Sequence, residues 1–250
     1  MNSETQLSPF IIYLPVAGCV NCVLSFVVCY IIVKCSHHLP DWFVFPPISF
    51  LGYQMPEHIA YAVFFTLGAL CFLVSFFYIR KHSFQKHRLE RDEYCQKWIW
   101  RATTLALWCP LFLTLQAVIP LQADILDENA KETVWSMIHQ GSAVVLFILS
   151  MIHAFIVCFF IRHIENHTYA KSSIVLKHLG LYGMGAALVF SVIFHPASNM
   201  SGVRSHFAFN MAGIAQWLFV VSMMLFYGSY TIDFKDPESV SEPIVSQEQE

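Results

Sequence analysis

Long apolar segments alternate with short polar ones along this chain of 250 residues. A hydrocarbon core of roughly 30 Å needs about 20 apolar residues in one helix, because unpaired backbone groups are not tolerated in lipid. Six segments meet that length, so we predict an all-α, polytopic membrane protein, a bundle of six transmembrane helices within residues 1–234. The spans run over residues 10–33, 58–79, 98–121, 134–161, 174–194 and 207–230.

The positions of Lys and Arg predict which side of the membrane each loop faces. Positive residues accumulate in cytosolic loops, and here they lie mainly between spans two and three and between spans four and five. Together with Lys235, eleven of the 14 Lys and Arg residues fall on that side. Both termini are therefore expected in the cytosol. The acidic residues 235–250 are expected to form a disordered tail.

Composition agrees with a chain that is solvated by lipid. Hydrophobic residues make up 56% and charged residues 12%, whereas soluble domains carry about a quarter charged residues. The net charge of -3, with no basic face, argues against a nucleic-acid partner. Apart from Lys177, which we expect to snorkel at the cytosolic end of span five, spans two, five and six contain no Asp, Glu, Lys or Arg. This disfavours an ion-coupled carrier.

Histidine is the main candidate for catalytic chemistry, with 12 copies. In the predicted topology six of them lie on the outer side near two carboxylates, and zinc hydrolases use such ligands. No His-Glu-x-x-His or comparable spacing supports a metal site. We therefore expect a non-enzymatic protein without catalytic, cofactor-binding or metal-binding residues; an outer-face hydrolase is the alternative. Its candidate residues are His37, His38, Asp41, Glu57, His58, His139, His195 and His206.

Small residues on two spans predict close helix packing. Gly183, Ala187 and Ser191 follow one another at four-residue steps on span five. Ala208, Ala212 and Gln216 do the same on span six. Small side chains let two helix backbones approach closely in a membrane, so spans five and six are expected to pack through these faces.

Several cytosolic and outer features are candidates for modification or binding. Asn199 begins an Asn-Met-Ser acceptor for N-glycosylation in the last outer loop. Cys95 lies just before span three on the cytosolic side, where palmitoylation occurs. The basic loop before Cys95 and the C-terminal tail are candidate binding sites for a protein partner. No cofactor is expected.

The first outer loop is the least ordinary stretch of the chain. Pro46, Pro47 and Pro56, with Gly52 between them, predict a stiff loop with several turns. The loop is also aromatic, which distinguishes it from a simple tether. One interpretation is a plug over the outer mouth of the bundle. The other is a recognition surface for lipid headgroups or a partner protein.

At this loop the sequence resembles the DRAM/Frag/Sfk family, which also includes a Cwh-type N-terminal domain. The family's loop carries a Pro-x-Ile-Ser stretch, a glycine and a Pro-Glu pair. Its spans carry further landmarks: an arginine that closes span two, a histidine near the start of span four, and an acid-tryptophan pair within the last span. The matching loop residues are Pro46, Pro47, Ile48, Ser49, Gly52, Pro56 and Glu57. The matching span residues are Arg80, His139, Gln216 and Trp217.

The resemblance implies a regulator of endomembranes with no catalytic residues to carry across. It favours a modulator of autophagy and lysosomal membrane traffic in lysosomal or endosomal membranes, with the plasma membrane or Golgi as other locations. Two alternatives stay open: a factor in GPI-anchor lipid remodelling, and a plasma-membrane scaffold for a phosphoinositide kinase. Phe50 and Gln216 stand where family members often have acids, which puts any activity that needs those carboxylates in question.

Overall fold

The computed structural model describes residues 9–39, 42–89, 93–121, 133–161, 170–199 and 206–235. These residues are overwhelmingly helical and contain no strand, which confirms the all-α class. A 3-10 helix, Ile48–Gly52, lies in the loop between α1 and α2, and a π-helical turn, Ile156–Ile161, continues α4. The α-helices are α1 (Pro9–Cys35), α2 (Glu57–Leu89), α3 (Glu93–Val118), α4 (Val134–Phe155), α5 (Lys171–Asn199), α6 (His206–Gly228) and α7 (Tyr230–Lys235).

Five stretches within the described residues are long and apolar enough to cross a membrane, whereas the sequence pattern predicts six. They correspond to α1, α2, α4 with its π turn, α5, and α6 together with α7. Helix α3 is not among them, because Lys97, Arg101 and Gln116 reduce its apolar character. The structure therefore establishes a multi-pass membrane protein with several apolar helices.

Helix α3 nevertheless packs inside the bundle, between α2 and α4. Ala102, Ala106, Cys109 and Leu113 are buried at helical spacing along it. The exposed side chains of α3, such as Trp108 and Leu111, are apolar as well. This pattern fits a helix with one face in the protein core and the other in lipid.

Helices α5 and α6 pack closely at Gly180 and Gly183 of α5, and Gly183 belongs to the predicted face. On α6 the residues at this contact are Ser222 and Phe226, whereas Gln216 of the predicted α6 face bonds to the first outer loop. A Cβ atom at Gly180 would lie 2.7 Å from the backbone oxygen of Ser222. A side chain at Gly183 would overlap the Ser222 hydroxyl group. The two glycines therefore allow a backbone approach that larger residues would prevent.

The short helix α7 lies across the inner end of the bundle. The Lys235 ammonium group lies 4.7 Å from the centroid of the Tyr13 ring, near the start of α1. The Phe234 and Tyr78 ring centroids are 5.8 Å apart, which places α7 against α2 as well. The first and last described helices therefore meet at the same end of the molecule. Residues 236–250, which complete the predicted tail, lie outside the described residues.

Lys177 is buried instead of reaching the membrane surface. It is only 3% exposed, and its ammonium nitrogen lies 2.5 Å from Asp233 Oδ2. The same nitrogen donates to Ser173 Oγ and lies 4.7 Å from the Tyr230 ring centroid. Asp233, which the sequence pattern assigns to the turn after the last span, supplies a buried partner, so the lysine has no need to snorkel.

Candidate functional site

Residues of α6 bind the backbone of the first outer loop. Asn210 lies one turn into the helix and accepts hydrogen bonds at Oδ1 from the amides of Val44, at 2.9 Å, and Phe45, at 2.8 Å. Its Nδ2 group donates to the carbonyl oxygen of Trp42 at 3.1 Å. One side chain thus satisfies three backbone groups of a loop that has no regular partner of its own.

Gly213 lies one turn further along α6, directly under the loop. A Cβ atom at this position would overlap the carbonyl oxygen of Phe45 and press on Pro46. The lack of a side chain is therefore what lets the loop backbone lie against the helix. This close approach sets how near to α6 the following loop residues cross the end of the bundle.

Gln216 and Trp217 hold the next part of the loop. The indole N–H of Trp217 donates to the carbonyl oxygen of Pro46 at 2.9 Å. The Ile48 amide donates to Gln216 Oε1 at 3.0 Å. Because Pro46 and Pro47 have no N–H group, Ile48 carries the first free backbone donor after them. The structure thus brings the loop landmarks and the Gln216-Trp217 pair into direct contact.

The loop buries part of its apolar side chains against the outer end of the bundle, whereas Val44 and Phe45 are exposed. Phe43, Ile48, Phe50 and Leu51 are all buried. Gly52 packs on the ring of Tyr61, where a Cβ atom would come within 2.6 Å of the ring. The loop therefore covers the mouth between the helices, in the way that a plug would.

Phe50 stands at one of the two positions where the chain departs from the family pattern, and its packing explains the departure. It is 8% exposed and packs edge-on against Phe43, with ring centroids 5.7 Å apart. A carboxylate at this buried position would need a partner to offset its desolvation. In this chain the position serves aromatic packing.

Glu57, the first residue of α2, is a buried carboxylate at the edge of the loop. It is 1% exposed, and its Oε1 atom lies 2.8 Å from His38 Nδ1. Its Oε2 atom has no hydrogen-bond partner among the described residues. The His38 side chain remains 27% exposed, so the pair connects the surface with the interior.

Two further outer histidines, His58 and His139, bond to backbone carbonyl groups. His58 Nδ1 lies 3.0 Å from the Gly52 oxygen, and His139 Nδ1 lies 2.7 Å from the Ile119 oxygen. His206 stacks on Trp42, with ring centroids 3.9 Å apart. Among the described residues no group of three or more His, Cys, Asp and Glu is arranged to hold a metal ion.

The remaining predicted residues lie apart from the loop contact. Arg80 lies at the other end of α2, where its guanidinium group is 5.3 Å from the Trp100 ring centroid. Pro56 is exposed at the surface just before α2. Asn199 is the last residue of α5, and Cys95 lies in the first turn of α3; their side chains lie outside the described part of the structure.

Asn210 and Gly213 belong to the site although the sequence pattern does not single them out. The signal that could have found them is the three-residue step from Asn210 to Gly213 to Gln216, which places all three on one face of α6. Their partners in the loop are more than 160 residues away in the chain. Only the folded structure shows that this face binds backbone groups.

Comparison with known proteins identifies one match over the described helices. The family described as the Frag1/DRAM/Sfk1/Cwh43P N-terminal domain matches residues 10–237. No curated protein and no solved structure matches the chain.

Proposed function

Because the chain belongs to the Frag1/DRAM/Sfk1/Cwh43P N-terminal domain family, we propose that it is a non-enzymatic, six-span modulator of autophagic and lysosomal membrane traffic. Its place is the lysosomal or endosomal membrane, with both termini in the cytosol. The family match covers every helix that contributes to the contact between α6 and the first outer loop, which we call the outer site. The proposal therefore concerns the whole bundle and not a single domain within it.

The non-enzymatic role rests on the hydrogen-bond partners of the polar side chains at the outer site. Asn210, Gln216 and Trp217 all bond to backbone groups of the loop. The bonds of Gln216 and Trp217 satisfy backbone groups of the buried residues Ile48 and Pro46, which would otherwise be costly to bury. These side chains hold a surface in a fixed shape, and a fixed surface suits a protein that acts by contact.

The contact between α7 and the start of α1 supports an even number of crossings. Tyr13 and Lys235 lie together at one end of the bundle, whereas five crossings would place the two ends on opposite faces of the membrane. If α3 also crosses, the number becomes six and the contact is accounted for. The excess of Lys and Arg on that side supports its cytosolic orientation.

The proposal is tested by the location of the full-length protein and by the effect of its removal. A fluorescent tag at the C-terminus is compared with lysosomal, Golgi and plasma-membrane markers, and autophagic flux is measured in cells with and without the protein. We expect lysosomal location and a change in flux, with the lipid composition of surface GPI-anchored proteins unchanged.

The other outcomes distinguish the competing functions. Altered GPI-anchor lipids with normal flux would favour a role in lipid remodelling. Plasma-membrane location, together with loss of phosphoinositide-kinase recruitment on deletion of residues 236–250, would favour a scaffold. Either result would overturn the proposed role.

A further inference from the structure

A cavity lies directly under the outer loop, inside the bundle. It has a volume of about 50 Å³ and is bounded by the 3-10 helix and by α2, α3, α4 and α6. Ser49, Tyr61, Gln116 and Gln216 contribute the polar part of its lining. The deeper walls are apolar and include Phe65 and Met223.

The two glutamines offer hydrogen-bond donors to this cavity. The Tyr61 hydroxyl group donates to Gln116 Oε1 at 3.0 Å, and the Ile48 amide donates to Gln216 Oε1 at 3.0 Å. Each amide oxygen already accepts one hydrogen bond, and each NH₂ group offers two donors. Neither NH₂ group has a hydrogen-bond partner among the described residues. Both side chains line the cavity, so a ligand with an acceptor oxygen in the cavity would give these donors a partner.

The position of Gln116 along the membrane normal matches the position of lipid ester groups. Gln116 lies two residues before the end of α3, and Tyr61 lies one turn into α2. Both positions are near the boundary between hydrocarbon and headgroups, where the ester carbonyls of lipids are found. From there the walls become apolar toward the membrane centre, as an acyl chain requires.

Side chains close the cavity on the side between α4 and α6. Phe147 of α4 and Phe219 of α6 stack there, with ring centroids 4.2 Å apart. Deeper in the bundle the Tyr227 hydroxyl group donates to Ser150 Oγ at 2.9 Å. Rotation of the half-buried Phe147 side chain would open the cavity sideways to lipid without disturbing the closely packed pair α5 and α6.

We propose that the cavity binds the carbonyl end of one lipid acyl chain from the leaflet next to the outer loop. Gln116 and Gln216 donate to the carbonyl oxygen, and the chain leaves between α4 and α6. A cavity of 50 Å³ has room for roughly three atoms the size of a water molecule. A carbonyl and its adjoining methylene fill this space, so the glycerol side of the ester and the rest of the acyl chain both lie outside the cavity. A fused ring system does not fit. This inference goes beyond the proposed role in membrane traffic, and it rests on the crossing of the membrane by α3 that the proposed function includes.

The test uses the purified full-length protein in lipid nanodiscs. One sample contains a phosphatidylcholine with a photoreactive group next to the acyl carbonyl, and a parallel sample contains a photoreactive sterol. After irradiation the labelled residues are mapped by mass spectrometry. We expect the phosphatidylcholine probe to label cavity residues, with unlabelled phosphatidylcholine as competitor, and the sterol probe to label exposed helix faces only.

Two matched variants separate cavity binding from general contact with lipid. Ala143→Phe fills the cavity, which Ala143 lines, and is expected to lower cavity labelling at least tenfold. Ala186→Phe makes the same change at an exposed position on α5 and is expected to leave cavity labelling within twofold of wild type.

A second cavity variant covers the case in which the Ala143→Phe protein does not fold. Gln116→Leu keeps a similar side-chain size but removes the amide donor, and is expected to lower labelling about fivefold. Labelling confined to exposed helix faces, equal cavity labelling in wild type and in the folded cavity variants, or cavity labelling by the sterol probe alone would each overturn the proposal.

Discussion

At the scale of single residues, α6 uses polar side chains in an unusual way for a membrane helix. Asn210, Gln216 and Trp217 bond to the backbone of a loop instead of to a neighbouring helix. Gly213 complements them, because its missing side chain leaves space for the Phe45 carbonyl group. These four residues of α6 hold the loop together with Lys34, which donates to the Phe43 carbonyl oxygen at 3.1 Å, and His58, whose Nδ1 atom lies 3.0 Å from the Gly52 oxygen.

A substitution at Gly213 tests the close approach of the loop. Gly213→Ala is expected to lower the free energy of unfolding by about 2 kcal/mol, because the new Cβ atom meets a backbone oxygen that cannot rotate away. The measurement is thermal unfolding of the purified protein in detergent. Gly185→Ala is the control, since a Cβ atom there meets no atom within 4 Å. Equal stability of the two variants would contradict the placement of the loop.

The indole hydrogen bond at Trp217 is tested by removing only its donor. Trp217→Phe keeps an aromatic ring but leaves the Pro46 carbonyl without its 2.9 Å bond, so a loss of about 1 kcal/mol is expected. Trp135→Phe, at a position that is 53% exposed, is expected to change stability by less than about 0.5 kcal/mol. Chemical denaturation followed by far-UV circular dichroism compares the two. If both variants are as stable as wild type, the bond makes no net contribution.

At the scale of helices, the apolar pattern predicts the membrane segments but not the full helices. Helix α2 continues to Leu89 and α3 begins at Glu93, beyond the predicted spans 58–79 and 98–121. Hydrophobicity reports only the part of a helix that lies in lipid, whereas backbone hydrogen bonds continue into the aqueous region. The family landmarks of the outer site can also be read from the sequence. The contacts of the loop with Asn210 and Gly213 cannot, because they join residues that are far apart in the chain.

The buried ion pair explains why a helix as short as α7 is ordered at the inner end. Lys177 and Asp233 are 4% and 10% exposed at their side chains, and six residues are too few for a stable isolated helix. The sequence does not reveal the pair, because Asp233 lies in the turn between the last span and the acidic tail, 56 residues along the chain from Lys177. The anchoring therefore comes from tertiary contact with α5.

Removing one partner of the pair should release α7. Lys177→Met leaves the Asp233 carboxylate buried without its cation, so a loss of about 3 kcal/mol is expected. Lys171→Met, at an exposed lysine in the same helix, should leave stability unchanged. The double variant Lys177→Met with Asp233→Leu should recover part of the loss, because neither charge is then buried. Thermal unfolding of the three variants in one detergent measures these differences, and a Lys177→Met variant as stable as wild type would show that the pair does not anchor α7.

At the scale of the whole molecule, the decisive question is whether α3 crosses the membrane. Its charged residues Glu93, Lys97 and Arg101 lie in the first third of the helix, the end that the predicted topology places at the cytosolic surface. Arg101 lies 4.9 Å from the Trp98 ring centroid. The remainder of α3 is apolar on its exposed side. A crossing by α3 reconciles its composition with the contact between Tyr13 and Lys235.

A topology experiment tests this arrangement directly. If α3 crosses, residues 122–132 lie on the outer side and residues 162–169 in the cytosol. An N-glycosylation acceptor with flexible flanking residues, inserted into the first segment, should therefore be modified, whereas the natural Asn166-His167-Thr168 acceptor should not. Epitope tags at the two termini should both be cleaved by protease added from the cytosolic side of sealed vesicles. Protection of one tag only would require an odd number of crossings, and the inner contact between α7 and α1 could then not exist within one molecule.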